Sequence, residues 1–446
     1  MNKSHQIDRV SFGASISIIV LACVPLIMYP DSGGSALVSL SDWIARELGF
    51  LYLFAGLATM GFLAWLAFGR FGNVLLGRDG EKPEFGNISW AAMLFCAGIG
   101  AGLMAWSPIE WGYYYDAPPF NIDPRTAEAA RWASTYGIFH WGFTAWAFYC
   151  LPTIAIAYPY YVKRTSSLRF SNSCYYWLEG REDTRRGRLI DFLFMIGLLG
   201  GAGTSLGFST PMISALFARL TGLEANFSLE FGVVVVSVIF FAVSVWLGLR
   251  RGIKRLSELN LWLAMALLVF VLLVGPTVFM LKTSLNSVGL MIDNFIRMNS
   301  WTDPFSSSGF VESWTIFYWA WWIAYGPFVG LFVTRISRGR TIRQVIGGML
   351  GYGTLGCALF YMIIGNYGMH LELTGAVAVT ETLGGSGAPA AITTILEQLP
   401  LAGLVIAVFA LVALVFSVTT YDSASYILAS SATRNMAPGE DPDRLH

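Results

Sequence analysis

Apolar residues run through this chain in ten stretches, each close to or beyond the roughly 20 residues that a helix needs to cross a bilayer. They lie at 10–30, 49–69, 88–115, 133–163, 189–219, 228–248, 258–282, 313–336, 344–366 and 401–430. The pattern predicts ten transmembrane helices and an all-α polytopic membrane protein. Between the seventh and eighth stretches, residues 283–300 carry apolar positions at helical spacing but too many polar ones to span, which predicts an amphipathic helix along the outer surface. Residues 388–399 read as another short external helix.

Charge orients the chain. Lys163, Arg164, Arg169, Arg181, Arg185, Arg186 and Arg188 follow the fourth stretch, Arg250, Arg251, Lys254 and Arg255 the sixth, and Arg335, Arg338, Arg340 and Arg343 the eighth. Cationic loops stay on the cytoplasmic side, so the N-terminus, with Lys3 and Arg9, is expected inside the inner (plasma) membrane. Asp116, Asp123, Glu224, Asp303, Glu372 and Glu381 then fall on the outer side. The first apolar run lacks a clear small-residue cleavage site before Pro30 and reads as a retained helix.

Composition agrees with the membrane reading: of 446 residues, 55% are hydrophobic and only 13% charged, with a formal net charge of zero. No basic block has the density that nucleic acid demands, which argues against that partner. The five cysteines (Cys23, Cys96, Cys150, Cys174 and Cys357) form no CxxC pair and are expected to be buried free thiols. With no nucleophile, metal-ligand cluster or nucleotide loop in sight, an enzyme is not expected.

Chemistry concentrates in two places. In the eighth stretch Tyr318, Trp321, Trp322 and Tyr325 fall at i, i+3, i+4 and i+7, making one helical face an aromatic wall. His140-Trp141, with Trp146 and Tyr149, supplies an opposing side. A cage of ring faces attracts cations, above all a quaternary ammonium group that has no N–H to donate. Interfacial belting explains many of the 16 tryptophans, but less readily Trp319, Trp321 and Trp322 in mid-span.

The second place is the run Cys96-Ala97-Gly98-Ile99-Gly100-Ala101-Gly102 in the third stretch. Two arrangements suit it: close packing of helices over small residues, or a locally unwound segment whose freed carbonyls and amides meet an ion or a substrate carboxylate. Phe416, Thr419 and Thr420 of the tenth stretch offer hydroxyl and carbonyl oxygen to a hard cation such as sodium. Glu110 and Asp422 are the ionisable residues that stand out within spans. Glu110 either faces a partner or reaches the outer interface, and His140 reads as a neutral side chain hydrogen-bonded between helices.

The 313–322 segment, followed by Pro327 and then Arg335-Ile336-Ser337-Arg338-Gly339-Arg340, closely resembles the signature of the betaine/choline/carnitine transporter family. The resemblance implies two peripheral helices over 1–85, a core of two inverted five-helix repeats over 86–435 and assembly as a homotrimer in the bilayer, while residues 436–446 read as a polar cytoplasmic tail. It also implies two further membrane helices beyond Arg434. This chain has none there, so the expected inverted-repeat core lacks its last two helices.

The same resemblance assigns the substrate's quaternary ammonium or sulfonium head to Trp141, Trp146, Tyr149, Trp321, Trp322 and Tyr325, beside Gly98, Gly100 and Gly102. It assigns a sodium ion to Cys96, Ile99, Phe416, Thr419 and Thr420. Ser107-Pro108-Ile109-Glu110-Trp111-Gly112 and Phe139-His140-Trp141-Gly142, together with Tyr325, are most similar to the carnitine-exchanger branch. The arginine that replaces sodium in those exchangers matches Asn260, a neutral residue. Sodium-coupled symport of betaine, carnitine or choline-like solutes, with no cofactor, is therefore the expectation. Sodium-independent exchange, and a quaternary-amine-binding protein that does not transport, are the alternatives.

Overall fold

The computed structural model describes residues 6–7, 9–165, 169–180, 184–247, 253–306 and 308–434. Helices dominate: α1 (Arg9–Met28), α2 (Pro30–Phe68), α3 (Asn87–Trp106), α4 (Glu110–Asp116), α5 (Ala127–His140), α6 (Phe143–Ala157), α7 (Arg185–Thr221), α8 (Phe227–Leu247) and α9 (Ile253–Val274) form the first part. There follow α10 (Thr277–Asp293), α11 (Phe295–Ser300), a wide turn at Val311–Ile316 leading into α12 (Phe317–Ile336), and α13 (Ile342–Gly348), α14 (Thr354–Phe360) and α15 (Asn366–Leu373), which continue one another through wide turns. Two short helices, α16 (Val379–Ser386) and α17 (Ala388–Glu397), precede α18 (Ala402–Ala432).

Among the described residues six helices are long and apolar enough to cross a bilayer, and Ile16–Met28 and Phe227–Phe240 are shorter apolar helices. The third and fourth expected spans are interrupted. The third stops at Trp106 and restarts as α4, and the fourth divides into α5 and α6. Residues 31–48, expected to link the first two spans, are helical instead and make α2 a 39-residue helix. At 1.5 Å per residue that is about 58 Å, far beyond the roughly 30 Å hydrocarbon core. Residues 283–300 are helical in α10 and α11, and 388–397 in α17, as their spacing predicts.

Lipid is the solvent for the outer faces. Phe50, Phe54 and Trp65 of α2, Phe231 and Phe240 of α8, and Trp262 and Leu273 of α9 are all exposed apolar residues, a surface that costs nothing in hydrocarbon. Cys23 is exposed as well, whereas Cys150 and Cys357 are buried; the expectation of buried thiols fails at Cys23 because α1 turns that position outward.

Inside, α6 and α12 meet backbone to backbone. A Cβ on Gly326 would lie 2.8 Å from the Phe148 carbonyl oxygen, and one on Gly330 would lie 3.0 Å from the Thr153 amide nitrogen. One further turn along, Thr334 donates to the Thr153 carbonyl at 3.2 Å. Small residues at i, i+4 and i+8 thus cut one contact seam, the membrane solution to helix association when no hydrophobic gradient is available.

Short strands tie the ends. β1 (Gln6–Ile7) pairs with β4 (Thr433–Arg434), and β2 (Leu75–Leu76) with β3 (Arg340–Thr341). Arg340 lies 3.9 Å over the Trp90 ring and donates to Asn87 Oδ1 and the Phe85 carbonyl, both at 3.0 Å. The basic run after α12 therefore anchors the start of α3, the helix that carries the glycine run.

Candidate functional site

The α5–α6 interruption builds one wall of the site. Trp141 closes α5, Gly142 takes φ −96° and ψ −143°, and α6 begins at Phe143. A carbonyl freed this way must find a donor inside the membrane. Trp322 of α12 provides it, its indole Nε1 donating to the His140 carbonyl at 2.9 Å.

Around that bond the predicted aromatic residues converge. Trp141 and Trp322 meet edge to face at 4.9 Å between ring centroids, and Trp321 and Trp322 lie nearly parallel at 4.9 Å. Tyr149 packs on Trp322 at 5.7 Å, on Trp146 at 5.6 Å and on Tyr325 at 6.5 Å. Five of the six are buried, and Trp321 is half-buried. Trp321 also contacts Phe208, which with Trp106 lines a separate cavity of about 170 Å³. Trp319 faces the other way, against Phe139 and Phe148, and packs the scaffold.

Two glycines give rings their seats. A Cβ on Gly353 would overlap the Trp146 ring at 2.1 Å, and one on Gly201 would overlap the Tyr325 ring at 2.5 Å. The Tyr149 and Tyr325 hydroxyls and the Trp321 indole N–H are buried polar groups with no hydrogen-bond partner among the described residues.

Glu110 settles as the hub behind this wall. The turn at 107–109 puts it at the first position of α4 with none of its surface exposed, so it does not reach the outer interface. Its carboxylate accepts hydrogen bonds from the Tyr114 and Tyr361 hydroxyls, from the Tyr318 hydroxyl at 2.7 Å and from Trp141 Nε1 at 3.2 Å. Four donors match the acceptor capacity of a carboxylate, about four lone-pair sites.

His140 completes the network. Its Nδ1 lies 2.8 Å from the Tyr114 hydroxyl and its Nε2 lies 3.1 Å from Thr315 Oγ1. With the Tyr114 proton directed to Glu110, Nδ1 is the donor to the Tyr114 oxygen, and a neutral ring then accepts from Thr315 at Nε2. Sequence reading named Glu110 and His140 but not this network. Its signal was present locally in the Glu110/Tyr114 i, i+4 pair, whereas Tyr318 and Tyr361 are more than two hundred residues away in sequence.

The second candidate region lies where α3 crosses α18. Gly100 adopts φ 53° and ψ −161° inside α3, a combination open essentially to glycine. The helix is therefore interrupted within the glycine run, as the unwound reading requires. A Cβ there would stand 2.6 Å from Thr420 Oγ1. Thr420 is 3% exposed, and its hydroxyl has no partner among the described residues. Thr419 differs: its hydroxyl donates to the Phe416 carbonyl at 3.0 Å.

A Cβ on Gly102, two residues on, would stand 3.5 Å from both the Trp141 and Trp321 rings, so one short segment of α3 borders both candidate regions. The side chains of Cys96, Ile99 and Asp422 and the packing at Gly98 lie outside the described residues. Asn260 is fully buried, and neither of its polar atoms has a partner among the described residues. Among the described residues no three or more His, Cys, Asp or Glu side chains come together as they would to hold a metal ion.

Comparison with known proteins decides the family. Residues 10–446 match the betaine/carnitine/choline family of transporters. The chain belongs to that family. It is 34% identical to the carnitine transporter of Acinetobacter baumannii over 98% of its own length and 79% of that protein's. It is 35% identical to the glycine betaine transporter OpuD of Bacillus subtilis, covering 94% of this chain and 81% of that one. It is also 37% identical to the transporter YeaV of Escherichia coli, over 87% and 80% of the two chains. As a betaine/carnitine/choline family member the protein is a membrane-embedded transporter and not an enzyme.

Proposed function

We propose that the protein is a secondary transporter that carries a quaternary ammonium solute inward with sodium. The observation that carries this reading is the aromatic box of Trp141, Tyr149, Trp321 and Trp322 with Glu110 behind it. A methylated cation offers no hydrogen-bond donor, so ring faces and long-range charge are the means of recognising it. By accepting the Trp141 N–H, Glu110 fixes that indole edge-on to itself and leaves the ring face for the cation.

The unpartnered Tyr149 and Tyr325 hydroxyls and Trp321 N–H suit an acceptor at the substrate's other end. A carboxylate such as the one on betaine or carnitine supplies it. This favours a zwitterionic solute over choline, whose hydroxyl is a weaker acceptor.

For sodium, the Thr420 hydroxyl and the backbone around Gly100 form the best-fitting donor set, because that hydroxyl is buried beside broken backbone with its lone pairs uncommitted. Cys96, Ile99, Phe416 and Thr419 complete the proposed set. Bound there, sodium would favour whichever state of the transporter holds the α3–α18 contact, provided its affinity differs between states. Exchange without sodium is the second reading, favoured by Thr419, whose hydroxyl is already engaged with its own helix.

The test is uptake of labelled glycine betaine and carnitine into proteoliposomes, with and without an inward sodium gradient. Sodium-driven accumulation is the expected result. Uptake that needs internal substrate and ignores sodium would establish the exchanger, and binding without uptake would refute transport by this chain.

A further inference from the structure

A cavity of about 170 Å³ opens at the end of α12, far larger than the roughly 10–15 Å³ that admits one water. Four arginines from three separate segments line it: Arg78 after β2, Arg164 after α6, and Arg335 and Arg338 at the end of α12. Two of them are matched. Arg338 pairs with Glu81 at 2.6 Å, and Arg335 with Glu84 at 3.5 Å. Glu81 also accepts the Arg78 backbone N–H at 2.7 Å.

The Arg78 and Arg164 guanidiniums make no hydrogen bond or ion pair with any described residue and are exposed at the rim. Arg164 is held there by a left-handed backbone, φ 56°, a conformation that non-glycine residues rarely adopt. Among the described residues that line the cavity and their partners, four positive charges stand against two negative ones. Glu81 also lies within the field of Arg78, which leaves the positive charge in excess; an oxyanion is the complement such a concave site lacks, and guanidinium forks fit phosphate oxygens two at a time.

We propose that this cavity binds a phosphate-bearing anion, with Arg78 and Arg164 closing on it and Arg338 at its floor. The anion would join the ends of α6 and α12 to the β2 segment on one face of the protein, well away from the aromatic box. The proposal does not depend on what that box carries. The ligand chemistry is shared by soluble phosphate and by an anionic lipid headgroup, the latter being the usual partner of basic pockets at a membrane surface.

The experiment follows thermal unfolding of the purified 446-residue chain in two series. Inorganic phosphate replaces chloride at constant ionic strength, or phosphatidylglycerol replaces phosphatidylcholine in mixed micelles. A rise in the midpoint is expected. Arg78→Gln and Arg164→Gln should each weaken the half-saturating concentration about tenfold, and Arg164→Lys should fall between, keeping the charge but not the fork. A response to phosphatidylglycerol alone identifies a headgroup, a response to phosphate alone a soluble anion, and a response to both the phosphate group itself. No response to either in the unsubstituted protein, or a response that all three variants keep, overturns the proposal.

Discussion

Two interrupted helices meet in this transporter, and they treat their freed polar groups in opposite ways. At the α5–α6 interruption the His140 carbonyl accepts the Trp322 indole, and Glu110 takes four further donors. At Gly100 the backbone leaves its helix beside a Thr420 hydroxyl that bonds to nothing described. The first interruption is closed chemistry: it stiffens ring positions before any ligand arrives. The second is open chemistry, with uncommitted oxygen in a low-dielectric setting where a cation gains most. Preorganisation suits the part of a site that recognises one fixed shape, and incompleteness suits the part that, in the proposed function, responds to a coupling ion.

The contrast breaks most completely at Glu110. Replacing it with Ala leaves four buried donors facing no acceptor, with an expected destabilisation of at least about 3 kcal/mol and loss of measurable transport. Circular-dichroism melting and uptake check both, and near-normal stability would mean that water replaces the carboxylate and the closed reading is wrong. Next comes Gly100→Ala, which forces a side chain into a glycine-only conformation and against Thr420. About 1–3 kcal/mol of strain is expected, with the sodium dependence of uptake abolished while substrate still quenches tryptophan fluorescence.

Trp322→Leu removes one ring from the cage, worth about 2 kcal/mol when desolvated, so substrate affinity measured by equilibrium binding should fall about 30-fold. Equal affinity would remove Trp322 from the cage. The smallest effect sharpens the comparison rather than breaking it. Thr420→Val should raise the half-saturating sodium concentration about tenfold and Thr419→Val about threefold or less, since only the first hydroxyl is free and one neutral hydrogen bond is worth about 1 kcal/mol. Reversed magnitudes would show that Thr419 leaves its own helix to bind the ion.

Much of this was legible in the chain. The i, i+3, i+4, i+7 spacing of Tyr318, Trp321, Trp322 and Tyr325 placed them on one face, and the glycine run located the α3 interruption to within a few residues. Periodicity is local information, and it failed wherever the outcome was long-range. Gly142 is the one local hint that α5 ends at Trp141, and a single glycine in an apolar run does not decide it, because the interruption is stabilised by Trp322, 182 positions away from His140. Glu110 could be read either as interfacial or as buried, since the deciding phenols of Tyr318 and Tyr361 enter from other helices. The helical course of residues 31–48 was missed because small and polar residues there resemble a loop, while the flanking apolar segments carry the helix through.

The seam between α6 and α12 has a mechanical consequence. Helices whose backbones touch at Gly326 and Gly330 have no side-chain cushion to slide on or compress, so the two walls of the aromatic box behave as a single stiff lever. Drawing those walls apart would have to break close backbone packing along the seam. If the proposed site releases its solute by a movement, the interrupted Gly100–Gly102 stretch of α3 is the partner expected to move.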